Sequence, residues 1–137
     1  MKFKRVILAS GSPRRKELLG ELFPEFDIIP AKGEENYQAS RPDEIVKELS
    51  LQKAEEIFRQ QAEISEGSLL VIGADTIVVK EQQVLGKPAD EEEAFSMLSA
   101  LSGTSHQVYT GVSLYYRIDE KTFIRVFMRK QGSASGR

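Results

Sequence analysis

Four cations and a small set of carboxylates stand out as residues that could do chemistry: Arg14, Arg15, Lys53 and Lys87, with Asp75 and the pair Glu34-Glu35. Cations of this kind neutralise phosphate charge, carboxylates hold a divalent metal, and one carboxylate can activate water. Together these are the requirements of polyphosphate cleavage. The strongest single signal is Ser10-Gly11-Ser12-Pro13-Arg14-Arg15-Lys16. Ser12 suits a helix N-cap and Pro13 the first helical position. Three cations then fall in the first turn, at the positive end of the helix dipole, where each costs about 0.3–1 kcal/mol. Two other predicted helices obey the opposite sign, opening Pro42-Asp43-Glu44 and Asp90-Glu91-Glu92-Glu93. Either the basic end is simply solvated, or an anion binds there, held by free N–H groups and guanidinium forks.

The other candidates are weaker alone. Asp75 follows the apolar run Leu69-Leu70-Val71-Ile72 through two small residues, Gly73 and Ala74. At the carboxyl end of a strand it is either a metal ligand or general base, or a residue that merely turns the chain. Lys53 interrupts the apolar series Ile45, Leu49, Ile57 on one helix face. It either snorkels to the rim or meets an anion. Lys87, in Gly86-Lys87-Pro88, is a surface lysine or a point charge on a rigid loop for phosphate. Glu34-Glu35 is a solvated acidic loop or a holder of Mg²⁺ or Mn²⁺. His106, the single histidine, reads as structural.

Composition narrows the field. The 137 residues suit one domain, with a net charge of −2 that argues against general binding to nucleic acid or an acidic membrane. Without cysteine, disulfides, thiolate metal sites and a cysteine nucleophile are excluded, and an intracellular address is allowed. The N-terminal apolar run is too short for a signal peptide or spanning helix. There is no Gly-x-x-x-x-Gly-Lys-[Ser/Thr] loop, which argues against a motor-type ATPase.

Positioning these groups requires an α/β domain. Strands are expected at Arg5 to Ala9, Phe26 to Ile29, Leu69 to Ile72, Thr76 to Val79, Val108 to Tyr116 and Thr122 to Met128, with Val84-Leu85 pairing back. Helices are expected at Pro13 to Leu22, Pro42 to Ala62 (signalled by Ser40 and Asp43) and Asp90 to Leu101. The fold class is a mixed twisted sheet flanked by helices, with the domain over 1–128 and a small, polar, disordered tail over 129–137. The last strand is expected to present an open edge.

The motifs Leu8-Ala9-Ser10-Gly11-Ser12-Pro13-Arg14-Arg15, Lys53-Ala54, Gly73-Ala74-Asp75-Thr76, Gly86-Lys87-Pro88 and Leu101-Ser102-Gly103 with His106 and Tyr109-Thr110-Gly111 resemble, in that order, the Maf family of nucleoside triphosphate pyrophosphatases. The resemblance implies a cytoplasmic, often dimeric enzyme with a fold related to inosine triphosphate pyrophosphatases. It would use Mg²⁺ or Mn²⁺ to split a nucleoside triphosphate into monophosphate and pyrophosphate. By position, Asp75 would activate water, and Ser10, Arg14, Arg15, Lys53 and Lys87 would grip the triphosphate. Glu35, with or without Glu34, would help Asp75 hold the metal. Arg14 and Thr76 would occupy positions that discriminate the dTTP/UTP branch from the branch acting on 7-methyl-GTP. Family members continue past residue 137 with a block that completes the second lobe and supplies a base-reading glutamine. The expected reading is therefore a C-terminally truncated member, active or reduced to phosphate binding.

Overall fold

The computed structural model describes residues 3–11, 13–23, 25–80, 83–86 and 106–131. In chain order the elements are β1 (Arg5–Leu8), α1 (Pro13–Leu22), β2 (Asp27–Ile28), α2 (Pro42–Ala62), β3 (Leu69–Lys80), β4 (Gln83–Gly86), β5 (His106–Ile118) and β6 (Lys121–Gln131). The strands form one mixed sheet in the order β2-β1-β3-β5-β6, with β4 also on β3. β1 runs parallel to β2 and β3, whereas β3, β5 and β6 are successive antiparallel neighbours. This is the mixed α/β sheet the residue pattern predicts.

Alternation along the strands sends side chains to two faces. Ile7, Leu69 and Val71 pack with Ala54, Ile57 and Phe58 of α2. Ile77 and Val79, farther along β3, meet Ile45, Val46 and Leu49. On the other face Val6, Leu8 and Leu70 pack with Leu19 of α1. The long helix α2 begins with Pro42, Asp43 and Glu44, so its first turn carries the charge its dipole favours. Its cap is Arg41, which makes no side-chain capping bond, rather than Ser40. Beyond its far end, the Arg117 guanidinium donates to the carbonyls of Ala62, Ser65 and Gly67 at 2.8, 2.6 and 2.9 Å. Cations suit that negative helix end.

Two glycines let α2 lie directly on the sheet. A Cβ on Gly73 would stand 2.3 Å from the Ser50 carbonyl oxygen and 2.7 Å from the Ala54 nitrogen. One on Gly111 would stand 2.2 Å from the Val46 carbonyl oxygen. Both obstacles are helix backbone, which cannot rotate away. A buried hydrogen bond of 2.7 Å between Ser50 and Ser113 closes the same contact.

Three expectations need correction. The strand at Leu69 does not stop before Asp75: β3 is continuous to Lys80, because β5 pairs with it at every residue from Leu69 to Lys80. The last strand does not end at Met128, since β6 pairs with β5 through Gln131. Arg129, Lys130 and Gln131 therefore belong to the sheet and not to a tail. The β5–β6 turn is tight, with Asp119 and Glu120 at φ of 51° and 67°, the left-handed pair that a two-residue hairpin requires. Among the described residues β6 is one edge of the sheet, opposite β2, and its Phe123, Ile124 and Phe127 are exposed. The predicted helix over 90–101 and residues 132–137 lie outside the described residues.

Gly73→Ala should lift α2 from the sheet and cost about 3 kcal/mol, as overpacking against rigid backbone does. A fall of the urea midpoint without a change in slope would report it.

Candidate active site

The site begins with a gap in the sheet. β1 pairs with β3 only from Arg5↔Leu69 to Leu8↔Ile72. The last rung is the Ala9 N–H to the Ile72 carbonyl at 2.8 Å. On the same edge of β3, β4 pairs from Val78 onward. Between them, no described strand covers Gly73 to Ile77 on that side. The gap opens just past the carboxyl end of β1, where ligands of open α/β sheets gather. Asp75 lies in its middle. It belongs there because its neighbour strand has ended, not because its own has.

Residues reach the gap from both faces of the sheet. From α1, Arg15 turns inward: one guanidinium nitrogen donates to Thr76 Oγ1 at 2.6 Å and the other is 3.4 Å from Ser10 Oγ. Thr76 Oγ1 in turn lies 3.2 Å from Thr110 Oγ1 of β5. From α2, on the opposite face, Lys53 Nζ donates to Asp75 Oδ1 at 2.7 Å and approaches the Ala74 carbonyl at 3.4 Å. The same ammonium stands 3.5 Å from Glu35 Oε2. The side chain of Lys53 neither snorkels to the rim nor points to water; it turns into the strand. Asp75 is only 4% exposed. Gly111 sits directly across from Asp75 in the ladder, and its missing side chain admits α2 and therefore Lys53.

Ser10, Arg15, Glu35, Lys53, Asp75 and Thr76 are thus brought together. Lys16 and Glu34 are exposed. The side chain of Arg14, and Lys87 as a whole, lie outside the described residues, as does the side chain of His106. Residue-by-residue reasoning missed Thr110 and Gly111 as parts of the site. The available signal was the Tyr109-Thr110-Gly111 motif, to which no role was assigned, with a small residue after aromatic and β-branched ones. A cavity of about 870 Å³ lined by Phe3, Phe23, Phe26 and Asp27 opens at the other end of β1, away from these groups.

Burial pushes the Asp75 carboxyl above its ordinary value of 3.8, and the attraction of Lys53, then of Arg15, only partly offsets that. A raised carboxylate is a better proton acceptor than an exposed one. Among the described residues no three His, Cys, Asp or Glu side chains converge as a metal cluster. Glu35 and Asp75 nevertheless approach one cationic nitrogen from two sides. These hard oxygen donors are the type that Mg²⁺ and Mn²⁺ accept, with waters and phosphate oxygens completing the shell. The donor set therefore fits a divalent ion.

The Maf-like protein family matches residues 5–132. The chain belongs to the Maf-like family. A relative from Agathobacter rectalis named dTTP/UTP pyrophosphatase is 52% identical over 120 residues, which cover 82% of this chain and 58% of that protein. One from Carboxydothermus hydrogenoformans with the same name is 48% identical over 124 residues, covering 89% and 64%. The chain spans about three-fifths of the length of these curated relatives. The solved structure of the Ham1 protein of Staphylococcus aureus shares the fold, with a TM-score of 0.52 and 14% identity over 94% of this chain and 70% of that one. Among the described residues no helix is long and apolar enough to cross a membrane.

The Asp75 shift has a consequence for stability. Between the ordinary carboxylate value and the raised native one, the folded chain holds a proton that the unfolded chain has released. Stability therefore falls as pH rises through that window. Asp75→Asn should unfold at higher urea than the parent at pH 7, with the advantage shrinking as pH approaches 4. Paired urea titrations at the two pH values measure it.

Proposed function

We propose that this site hydrolyses a nucleoside triphosphate, dTTP or UTP, to the monophosphate and pyrophosphate. The observation that carries the reading is the arrival of two cations from opposite faces of the sheet in the gap past β1, Arg15 on Thr76 and Lys53 on the adjacent Asp75. Cations from two sides suit a triphosphate chain, whose charge is spread over several oxygens. The names of the two bacterial relatives support dTTP and UTP as the substrates.

In this mechanism the triphosphate lies along the gap. Arg15 grips it as a fork, with Ser10 and Thr76 holding the guanidinium in place, and Lys53 transfers its ammonium from the carboxylates to phosphate oxygens. Arg14 and Lys87 complete the grip. Asp75 accepts the proton of the attacking water as the oxygen joins phosphorus and the α–β anhydride bond breaks. Departure of Lys53 toward phosphate frees the Asp75 oxygen that receives the proton. Glu35 and Asp75 would hold Mg²⁺ or Mn²⁺, which when bound neutralises charge on the phosphates. Burial raises the Asp75 carboxyl above its ordinary value, which makes it a better acceptor for that proton.

Pyrophosphate release from dTTP and UTP with Mn²⁺ tests this. Asp75→Asn should lower kcat by about 10²–10⁴-fold, the worth of a general base. Arg15→Ala should weaken kcat/KM by about 10–100-fold, the worth of a charged hydrogen bond of about 1.5–3 kcal/mol. Binding without turnover, indifferent to Asp75→Asn, would instead mark a phosphate-binding module.

A further inference from the structure

Glu35 stands on an irregular stretch between β2 and α2, with no helix or strand of its own from 29 to 41. What holds that stretch is a second stripe of α2. Glu48, Gln52 and Glu56 recur every four residues and so share one face. Glu56 accepts the backbone N–H groups of Lys32 and Gly33, both at 2.8 Å, one on each carboxylate oxygen. Gln52 accepts the Asn36 N–H at 3.2 Å and donates its own amide to the Asn36 carbonyl. Glu48 accepts the N–H groups of Gln38 and Ala39 at 3.0 and 3.3 Å. Gly33 makes room for this: a Cβ there would stand 2.7 Å from Glu56 Oε1.

The side chains act as a substitute strand edge, satisfying loop amides at three successive turns. Glu35 falls between the Glu56 and Gln52 clamps. Gln52 is the sequence neighbour of Lys53, so one helix turn carries both the clamp and the ammonium that Glu35 meets. We infer that Glu48, Gln52 and Glu56 are positioning residues that set the Glu35 carboxylate over the site. The inference rests on the proposed role of Glu35 as a metal holder. An exposed loop carboxylate would otherwise sample many orientations, and a metal ligand must be oriented by groups behind it.

The test is Mn²⁺ binding to the nucleotide-free chain, read from the electron paramagnetic resonance signal of free Mn²⁺. Gln52→Ala and Glu56→Gln are each measured alone and combined with Glu35→Ala, with thermal unfolding to establish that each variant folds. Each should raise the Mn²⁺ dissociation constant by roughly tenfold, the usual cost of removing an orienting partner. In the Glu35→Ala background the same changes should shift it by less than about twofold, since coupled residues are not additive. Equal weakening in both backgrounds, no weakening in either, or no Mn²⁺ uptake by the parent chain would overturn the inference. Turnover of dTTP by the parent is scored separately. Coupling without turnover would sink the proposed reaction alone; turnover without coupling would sink the positioning role alone.

Discussion

The closeness of α2 to the sheet is the constraint on which the rest of this molecule depends. At Gly73 and Gly111 the helix backbone occupies space that any side chain would need. That contact decides how far Lys53 must reach, and Asp75 lies two residues from Gly73 and directly across the ladder from Gly111. A helix raised by one methyl layer would leave the buried carboxylate without the ammonium, in surroundings where an unpaired charge is costly. Packing and electrostatics are here one arrangement.

The second organising fact is a missing strand. β1 ends four rungs into its pairing with β3, and β4 takes up the edge only at Val78. A sheet edge ordinarily invites another strand. Here the edge is approached instead by charged side chains from both faces, Arg15 above Thr76 and Lys53 beside Asp75. The apparent breach of the helix-dipole rule in α1 acquires a physical reason. Arg15 belongs to the gap and not to its own helix, and its hydrogen bonds to hydroxyls leave its positive charge uncancelled by them. The Asp75 carboxyl answers the same environment in the opposite sense, since burial outweighs both cations.

Much of the fold was legible locally. α1 and α2 run over the residues that proline and the apolar spacing indicate, because helices are built from contacts within four residues. Strand ends were less legible. The Gly73-Ala74-Asp75 stretch reads as a turn, since glycine and aspartate are poor strand formers. It is strand because β5 pairs along its whole length. In the same way Arg129 to Gln131 look like the start of a polar tail, yet they are held in the ladder by Val108, Tyr109 and Thr110.

The residue types alone determined that this chain carries a phosphate-friendly helix start, a small-residue approach to Asp75 and a lysine within an apolar helix stripe. Those properties depend on side-chain chemistry and on spacing along one element. Only the tertiary structure decided that Arg15 and Lys53 arrive from opposite faces, that Glu35 reaches the Lys53 ammonium, and that Thr110 and Gly111 belong to the same place. Pairings of this kind span 18 residues of chain, from Glu35 to Lys53, up to 61, from Arg15 to Thr76. They follow from which strand stops first and which helix lies flat, neither of which any short stretch encodes.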